Sequence, residues 1–196
     1  MVKYLYLMRH GQTLFNQRHL IQGWCDSPLT DLGVYQAQVA GHYFEENKIQ
    51  FDAAFSSTSE RACDTLEIAT KGATPYQRIK GLKEWNFGVF EGESEDLNPP
   101  LPYRDFFVGY GGESQTAVQE RMDATIRQLM EQTDGKNILM VSHGGSLFNF
   151  ARVHQKNWQV HPQGHIGNCC VFVFRYENHN FYLEEVVEHD FSQWEG

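Results

Sequence analysis

The sequence predicts an α/β protein, a three-layer α/β/α sandwich around a mostly parallel central sheet. Two segments, Val2 to Met8 and Asn137 to Ser142, have the nearly continuous apolar character of strands buried inside such a sheet. Segments with helical periodicity separate the predicted strands, and this alternation is typical of helices covering both faces. The last two predicted strands, Cys169 to Tyr176 and Phe181 to Glu188, indicate a hairpin and hence one antiparallel strand.

Length and charge limit the kind of protein this is. The 196 residues are 41% hydrophobic and 21% charged, which is ordinary for a globular domain that buries its own core. We expect a single domain over residues 1–196 with a small lid insertion at about 85–113. The 16 basic and 25 acidic side chains give a net charge of −9, so we expect neither nucleic acid nor a membrane as partner. The oligomeric state stays open between a monomer and a homodimer.

The cysteines favour a reducing compartment. The four of them form no CxxC pair, and adjacent Cys169 and Cys170 would point to opposite faces of a strand. This pattern argues against both a disulfide framework and a zinc site. Since no apolar stretch is long enough to span a bilayer, we expect a soluble cytoplasmic protein.

The first strand leads into a loop and then a helix. Residues 10–29 contain glycines and a proline without periodicity, so we expect a loop with one short turn. Thr30 and Asp31 are typical residues for the start of a helix. Apolar side chains then recur at three- and four-residue intervals, at Leu32, Tyr35, Val39 and Tyr43.

A shorter strand–helix unit and the lid follow. Phe51 to Ser56 predicts a second strand, and the run at 56–58 is expected to cap a helix from about Ser59 to Thr70. A third strand is expected near Tyr76 to Leu82. The following stretch, from Trp85 to Gly112, has no clear periodicity and is rich in glycine and proline, so we assign it to the lid.

The second half of the chain repeats the pattern and brings in a second histidine. Ser114 begins a predicted helix with one apolar stripe, formed by Val118, Met122, Ile126 and Met130. The strand that ends at Ser142 is followed by His143 and two glycines, then by a helix to about His154. The first strand ends similarly, in Arg9-His10-Gly11. Ligands of such folds lie beyond the carboxyl ends of strands, so His10 and His143 would share one cleft if these strands are neighbours.

Three kinds of chemistry fit this strand edge to different degrees. A metal site would need a third ligand at a matched spacing, and Arg9 would repel a cation. A serine hydrolase would need a G-x-S-x-G turn, which the sequence lacks. Phosphoryl transfer fits best, because a neutral imidazole is a nucleophile and arginine binds phosphate oxygens in pairs. Backbone N–H groups of Gly144-Gly145 at a helix start would add further donors.

Six ordered segments carry a resemblance to a known family. They are Arg9-His10-Gly11-Gln12 with Asn16; Gln22-Gly23 with DSPLTDLG at 26–33; Ser56-Ser57 with Arg61-Ala62 and Asp64-Thr65; Leu82-Lys83-Glu84 with Phe87-Gly88 and Glu91-Gly92; Gly112-Glu113-Ser114; and Ser142-His143-Gly144-Gly145. Together they resemble the histidine phosphatase superfamily, which includes the cofactor-dependent phosphoglycerate mutases. One RHG tripeptide would be weak evidence, whereas six segments in family order over nearly the whole chain make coincidence a poor explanation.

The resemblance implies a role for each matching residue. His10 would accept the phosphoryl group, and Glu84 would be the general acid and base. Arg9, Arg61 and a protonated His143 would hold the phosphoryl oxygens. The rest of the phosphate-binding set would be Asn16, Gln22, Gly23 and Gly144. The resemblance implies no metal and no organic cofactor.

The spacing of acids leaves the proton donor open. Glu84, Glu91 and Glu93 lie close together, and only the family pattern prefers Glu84. Glu91 is a candidate for a structural role instead.

The composition of the lid bears on the reaction. Between Glu84 and Glu113 there is one basic residue, Arg104, alongside the acids Glu91, Glu93, Glu95, Asp96 and Asp105. The same stretch carries the aromatic residues Tyr103, Phe106, Phe107 and Tyr110. This is a poor clamp for a small polyanion and a better wall for a partly apolar or neutral leaving group, although the aromatic side chains also suit packing of the lid onto the body.

These features predict a phosphatase. The segment after the two glycines, SLFNF, lacks the arginine that the mutase pattern has there. We therefore expect a histidine acid-type phosphatase that hydrolyses a small phosphorylated metabolite through phosphohistidine. The alternatives are a cofactor-dependent phosphoglycerate mutase and a non-catalytic phospholigand-binding protein, and the retained nucleophile and acid count against the latter.

Overall fold

One six-stranded sheet forms the centre of the computed structural model, which describes residues 2–162 and 166–196. The strands are β1 (Lys3–Arg9), β2 (Ala53–Ser57), β3 (Tyr76–Ile79), β4 (Asn137–Ser142), β5 (Val171–Glu177) and β6 (Asn180–Val187). Their order is β3-β2-β4-β1-β5-β6, and among these described strands β5 alone runs in the direction opposite to the other five. The predicted sheet, mostly parallel with one antiparallel strand, is confirmed.

Helices cover both faces of this sheet. They are α1 (Leu14–Gln17), α2 (Asp31–Glu46), α3 (Glu60–Ala69), α4 (Gln115–Gln132) and α5 (Gly144–Val153). α2 and α3 share one apolar core with the sheet, around Phe44 and Leu66, while α4 and α5 share another, around Met122 and Phe150. These two cores give the three predicted layers. No helix among the described residues is both long and apolar enough to cross a membrane.

Both apolar stripes lie on helices, as their spacing predicted, but they differ in burial. The α4 stripe is fully buried at Val118, Met122, Ile126 and Met130. The predicted α2 stripe is only half-buried, and the buried face carries mostly small residues, namely Gly33, Gln36, Ala37, Ala40, Gly41 and Phe44. A Cβ at Gly41 would lie 2.6 Å from the carbonyl oxygen of Ala69. α2 thus packs closely on α3 through small side chains, which give little hydrophobic signal in a sequence.

Three predicted boundaries differ from the structure. The run at 56–58 does not cap α3, because Ser57 still belongs to β2 and Ser59 is the N-cap residue. β3 ends at Ile79, and residues 80–82 form a 3-10 turn rather than strand. The loop over 10–29 contains the short helix α1, whose N-cap is Thr13. Thr30 caps α2 as predicted, accepting a hydrogen bond from Gly33 N.

The aromatic side chains of the lid extend the core that α4 and α5 share with the sheet. The lid contains three 3-10 turns, Gly88–Phe90, Glu95–Leu97 and Phe106–Tyr110. Phe107 is fully buried at its centre, with ring contacts to Trp85, Phe87, Phe90, Tyr103 and Phe106. Packing of the lid therefore explains the aromatic side chain at Phe107. Phe106 and Tyr110 are less completely packed, since they keep 38% and 44% of their surface exposed.

The central strands place the two histidines side by side. β1 and β4 are parallel neighbours, and Arg9 lies opposite Ser142 in their register. His10 and His143 therefore follow at the same edge, with ring centroids 5.2 Å apart and the rings edge to face. The two histidines therefore lie together at the carboxyl ends of neighbouring strands, as the sequence pattern predicted.

Candidate active site

A cavity of about 330 Å³ lies at the carboxyl ends of β1 and β4. Six predicted site residues line it, namely Arg9, His10, Asn16, Gln22, Glu84 and Gly144. Arg61 and His143 are fully buried and do not line it. Gly23 lies behind the wall, where its carbonyl accepts a hydrogen bond from Arg61.

His10 is arranged as a neutral nucleophile. Its Nδ1 lies 2.7 Å from the carbonyl oxygen of Gly11. Because a carbonyl can only accept, Nδ1 carries the proton and Nε2 keeps its lone pair. Burial, together with the charges of Arg61 and Arg9, lowers the pKa of His10 well below its ordinary value. The side chain can therefore attack phosphorus without first losing a proton.

His143 is also held neutral. Its Nε2 lies 2.8 Å from the hydroxyl oxygen of Ser57, and its buried Nδ1 has no partner among the described residues. Burial and the charge of Arg61 lower the pKa of His143 well below its ordinary value. The resemblance implied a protonated His143, but these surroundings favour the neutral form. Protonation would add a second positive charge to a buried site that already holds the Arg61 charge. If the Ser57 hydroxyl donates to Nε2, the neutral ring of His143 carries its proton on Nδ1.

The two arginines make different contacts. Arg9 lines the cavity, and its guanidinium donates to the carbonyl of Ile166. Arg61 is completely buried, so it is not a solvated helix residue. Its Nη1 donates to Cys25 O at 2.9 Å and to Asp26 Oδ1 at 2.8 Å, and its Nη2 donates to Gly23 O at 2.9 Å. Arg61 thus fixes the 23–26 loop while its charge acts on both histidines.

Glu84 joins the cavity to the start of α5. Its Oε1 accepts from the N–H groups of Trp85 at 2.8 Å and Ser146 at 2.7 Å, and its Oε2 accepts from Gly145 N at 2.9 Å. A Cβ at Gly145 would lie 2.8 Å from Glu84 Oε1, so the glycine leaves room for the carboxylate. The Gly145 N–H predicted as a phosphate donor is therefore taken by Glu84.

The other two acids lie elsewhere. Glu91 accepts from the backbone N–H groups of Trp24 at 2.7 Å, Cys25 at 2.6 Å and Phe87 at 3.2 Å. It ties the 23–25 loop to the lid, which is the structural role considered for it. Glu93 is exposed and does not line the cavity. Of the three candidates, only Glu84 lines the cavity.

Arg121 and Glu113 form a pair that positions Glu84, and neither of them was assigned this role from the sequence. Arg121, on α4, donates from Nη1 to Gly81 O at 2.9 Å and Lys83 O at 2.8 Å, and from Nη2 to Glu84 O at 3.1 Å. Its Nε lies 2.9 Å from Oε1 of Glu113, a residue of the fifth family-like segment. Arg121 stands on the polar side of an amphipathic helix, and nothing in its spacing distinguishes it from a solvated arginine.

Two further residues near the histidines carried a weak or absent signal. Ser57, the last residue of β2, contacts His143. It ends a strand at the same sheet edge, and this position is the signal that could have identified it. Asn168 donates from Nδ2 to the carbonyl of His10 at 3.0 Å, and it lies far from the other site residues in sequence.

The site and the fold define a class of protein. A neutral histidine, one arginine and one carboxylic acid side chain line a cavity at the carboxyl edge of a parallel sheet, and the charge of the buried Arg61 acts on the histidine. This arrangement is suited to phosphoryl transfer. Among the described residues, no group of three or more His, Cys, Asp or Glu side chains is placed to hold a metal ion. The chain belongs to the histidine phosphatase superfamily (branch 1), whose family model matches residues 5–189.

Relatives of this chain have names of two kinds. A 2,3-bisphosphoglycerate-dependent phosphoglycerate mutase of Cytophaga hutchinsonii is 34% identical over 157 residues, covering 73% of this chain and 73% of that protein. An acid phosphatase of Mycobacterium tuberculosis is 30% identical over 163 residues, covering 81% and 76%. The crystal structure of a phosphoglycerate mutase from Bacillus anthracis has a TM-score of 0.82 at 26% identity, covering 93% and 92%. Similarity to relatives therefore supports phosphatases and mutases alike.

Proposed function

We propose that this protein hydrolyses small phosphomonoesters through a covalent phosphohistidine at His10, as a histidine phosphatase of the acid type. The observation that carries the proposal is a neutral His10 whose Nε2 is unprotonated, in a cavity that Arg9 and Glu84 also line. These groups supply a nucleophile, a phosphate-binding charge and a proton carrier for one reaction.

The first step transfers the phosphoryl group to the protein. The lone pair on His10 Nε2 forms a bond to phosphorus while the ester P–O bond breaks, and the leaving oxygen takes a proton from the carboxyl group of Glu84. Arg9, the charge of Arg61 and the Nδ1–H of His143 stabilise the phosphoryl oxygens. The hydrogen bond from His10 Nδ1 to Gly11 O stabilises the positive charge that the ring acquires.

The second step returns the protein to its starting state. The carboxylate of Glu84 takes a proton from water, and the water oxygen bonds to phosphorus as the P–N bond to His10 breaks. Inorganic phosphate leaves, His10 is neutral again and Glu84 is again protonated. No step requires a metal or an organic cofactor.

The mutase alternative is supported by the names of relatives and opposed by the cavity. A mutase has to hold the substrate carboxylate while the phosphoryl group changes position. Among the described residues that line the cavity, Arg9 is the only arginine or lysine. Arg152, whose guanidinium lies 4.7 Å from the ring centroid of Phe148, does not line it. Among the described residues that line the cavity, a second anionic group would therefore find no arginine or lysine besides the one that binds the phosphate.

One pair of assays separates the two reactions. Release of inorganic phosphate is measured over a panel of phosphomonoesters, and interconversion of 2- and 3-phosphoglycerate is measured with 2,3-bisphosphoglycerate as primer. We expect hydrolysis of the panel to exceed interconversion by about a hundredfold or more, the scale at which differential binding of one charged group acts. Interconversion faster than hydrolysis would establish the mutase, and no turnover in either assay would support a phospholigand-binding protein.

The pH dependence tests the state of His10. Because the pKa of His10 is lowered, the ring stays neutral as the pH falls below about 6.5, the ordinary histidine value. The second ionisation of a phosphomonoester substrate lies at about pH 6, so kcat/KM has to be corrected for it. We expect the corrected kcat/KM to decline only at a pH below the ordinary histidine pKa of about 6.5. Initial rates from acid to neutral pH measure this. A decline centred at or above the ordinary histidine pKa would show that His10 is not held neutral.

A further inference from the structure

The walls of the cavity differ in charge. The body supplies the phosphate end, with Arg9 and His10. The lid supplies Phe87, Glu95, Asn98, Leu101 and Tyr103. Among these described lid residues Glu95 is the only one that carries a charge, and it is negative. A substrate bound with its phosphate at His10 would therefore extend its leaving group toward a carboxylate.

The Glu95 carboxylate is open to a ligand. No hydrogen bond from another described side chain reaches it, and the nearby His19 Nδ1 lies 3.7 Å from Oε2, which is too long for a hydrogen bond. The side chain keeps 45% of its surface exposed, so it can meet a ligand without losing all of its hydration. Glu95 and Tyr103 both line the cavity, and burial together with the charge of Glu95 raises the pKa of Tyr103.

Other lid groups at this wall suit a donor or a cation. Asn98 lines the cavity, and its Oδ1 atom has no hydrogen-bond partner among the described residues, so a turn of the side chain toward the cavity would offer an acceptor to a ligand N–H. Phe87 and Tyr103 add aromatic surface, with ring centroids 6.4 Å apart and planes nearly perpendicular. Aromatic rings attract ammonium groups, and a carboxylate beside them strengthens that attraction.

We propose that the preferred leaving group of this phosphatase is an amino alcohol, so that the substrate carries an ammonium group bound between Glu95, Asn98 and the lid aromatic rings. The inference rests on the proposed hydrolysis at His10. It narrows the substrate to a phosphomonoester with an anionic end and a cationic end, and it disfavours one with a second anionic group. A leaving group with a carboxylate would place that carboxylate against Glu95.

The test compares four alkyl phosphates that differ in the charge of the leaving group. Phosphoethanolamine carries an ammonium group, glycerol 1-phosphate is neutral, phosphoserine carries an ammonium group and a carboxylate, and 3-phosphoglycerate carries a carboxylate. We expect kcat/KM for phosphoethanolamine to exceed that for glycerol 1-phosphate and for phosphoserine by about fivefold each, the scale of a partly exposed ion pair. The value for 3-phosphoglycerate should be the lowest.

A charge variant and a matched control assign the preference. Glu95→Gln should bring the ratio of kcat/KM for phosphoethanolamine to kcat/KM for glycerol 1-phosphate close to one. Asp96→Asn removes the same charge from the neighbouring exposed residue, which does not line the cavity, and should leave the ratio as in the wild type. A ratio that Glu95→Gln does not lower, or a wild-type preference for the neutral compound, would overturn the proposal.

Failure of the proposed function has a separate signature. If p-nitrophenyl phosphate and the four compounds all resist hydrolysis, the hydrolase proposal fails while the charge preference is still measurable. Calorimetry then gives the Kd of each alkyl phosphate for the wild type and for Glu95→Gln. Tighter binding of phosphoethanolamine that Glu95→Gln removes would support the ammonium site, and equal affinities would refute it.

Discussion

The variant His10→Ala is expected to lower kcat/KM for every phosphomonoester by about a thousandfold or more and to abolish covalent labelling by substrate phosphate. The residual cavity would still hold Arg9, so binding of phosphate should persist while chemistry is lost. The measurement is rapid quenching with a labelled substrate followed by counting of protein-bound phosphate. His10 is buried against Gly11 and His143, so thermal unfolding of the variant should be recorded alongside.

A second histidine provides the control for this experiment. His42 lies exposed on α2, away from the cavity, and His42→Ala should retain wild-type rates and labelling. If His10→Ala were folded and still took up label, the nucleophile would be another residue and the mechanism above would be wrong. If the wild type hydrolysed substrate without any labelled intermediate, water would attack phosphorus directly.

The parts of the fold that the sequence predicted are those with a strong local signal. The α4 stripe at Val118, Met122, Ile126 and Met130 recurs at helical intervals, so burial of that face follows from spacing alone. The two strands that precede His10 and His143 are nearly continuous in apolar character, which predicts central positions in a parallel sheet. Pairing of β1 with β4 then brings the histidines together without any further information.

The parts that were missed depend on contacts between distant segments. α2 packs through Ala37, Ala40 and Gly41 because α3 approaches closely, and small residues mark neither face in a sequence. The protonation state of His143 depends on its burial and on Arg61, which comes from another helix. The spacing of residues carries information about one segment at a time. It therefore cannot predict the effect that a charge on one segment has on the pKa of a residue in another.

For Glu84, the sequence predicted one part of its role and missed another. Its place in a family-like segment suggested a proton carrier, while its hydrogen bonds to Gly145 and Ser146 and its support by Arg121 needed the folded chain. The same carboxylate therefore caps α5 and faces the substrate cavity. A simple loss of activity in a Glu84 variant would not separate these roles, so the readout has to depend on the leaving group.

The variant Glu84→Gln is expected to lower kcat/KM for alkyl phosphates by about a hundredfold to ten thousandfold, the range of general acid catalysis. With p-nitrophenyl phosphate the first step should change by about tenfold or less, because nitrophenolate leaves without a proton. Hydrolysis of phosphohistidine would still lack its base. Stopped-flow absorbance should therefore show a burst of about one nitrophenolate per active site, followed by slow turnover.

Glu91→Gln is the matched comparison, because Glu91 is also a carboxylate that accepts hydrogen bonds from backbone N–H groups, those of Trp24, Cys25 and Phe87. Each variant replaces an acceptor with an amide group that opposes a backbone donor, so each should lose stability, by roughly 1–3 kcal/mol. Glu91→Gln should slow alkyl and nitrophenyl substrates by the same factor and give no burst. If both variants showed the same dependence on the leaving group, the proton would come from elsewhere and Glu84 would serve only to hold the start of α5.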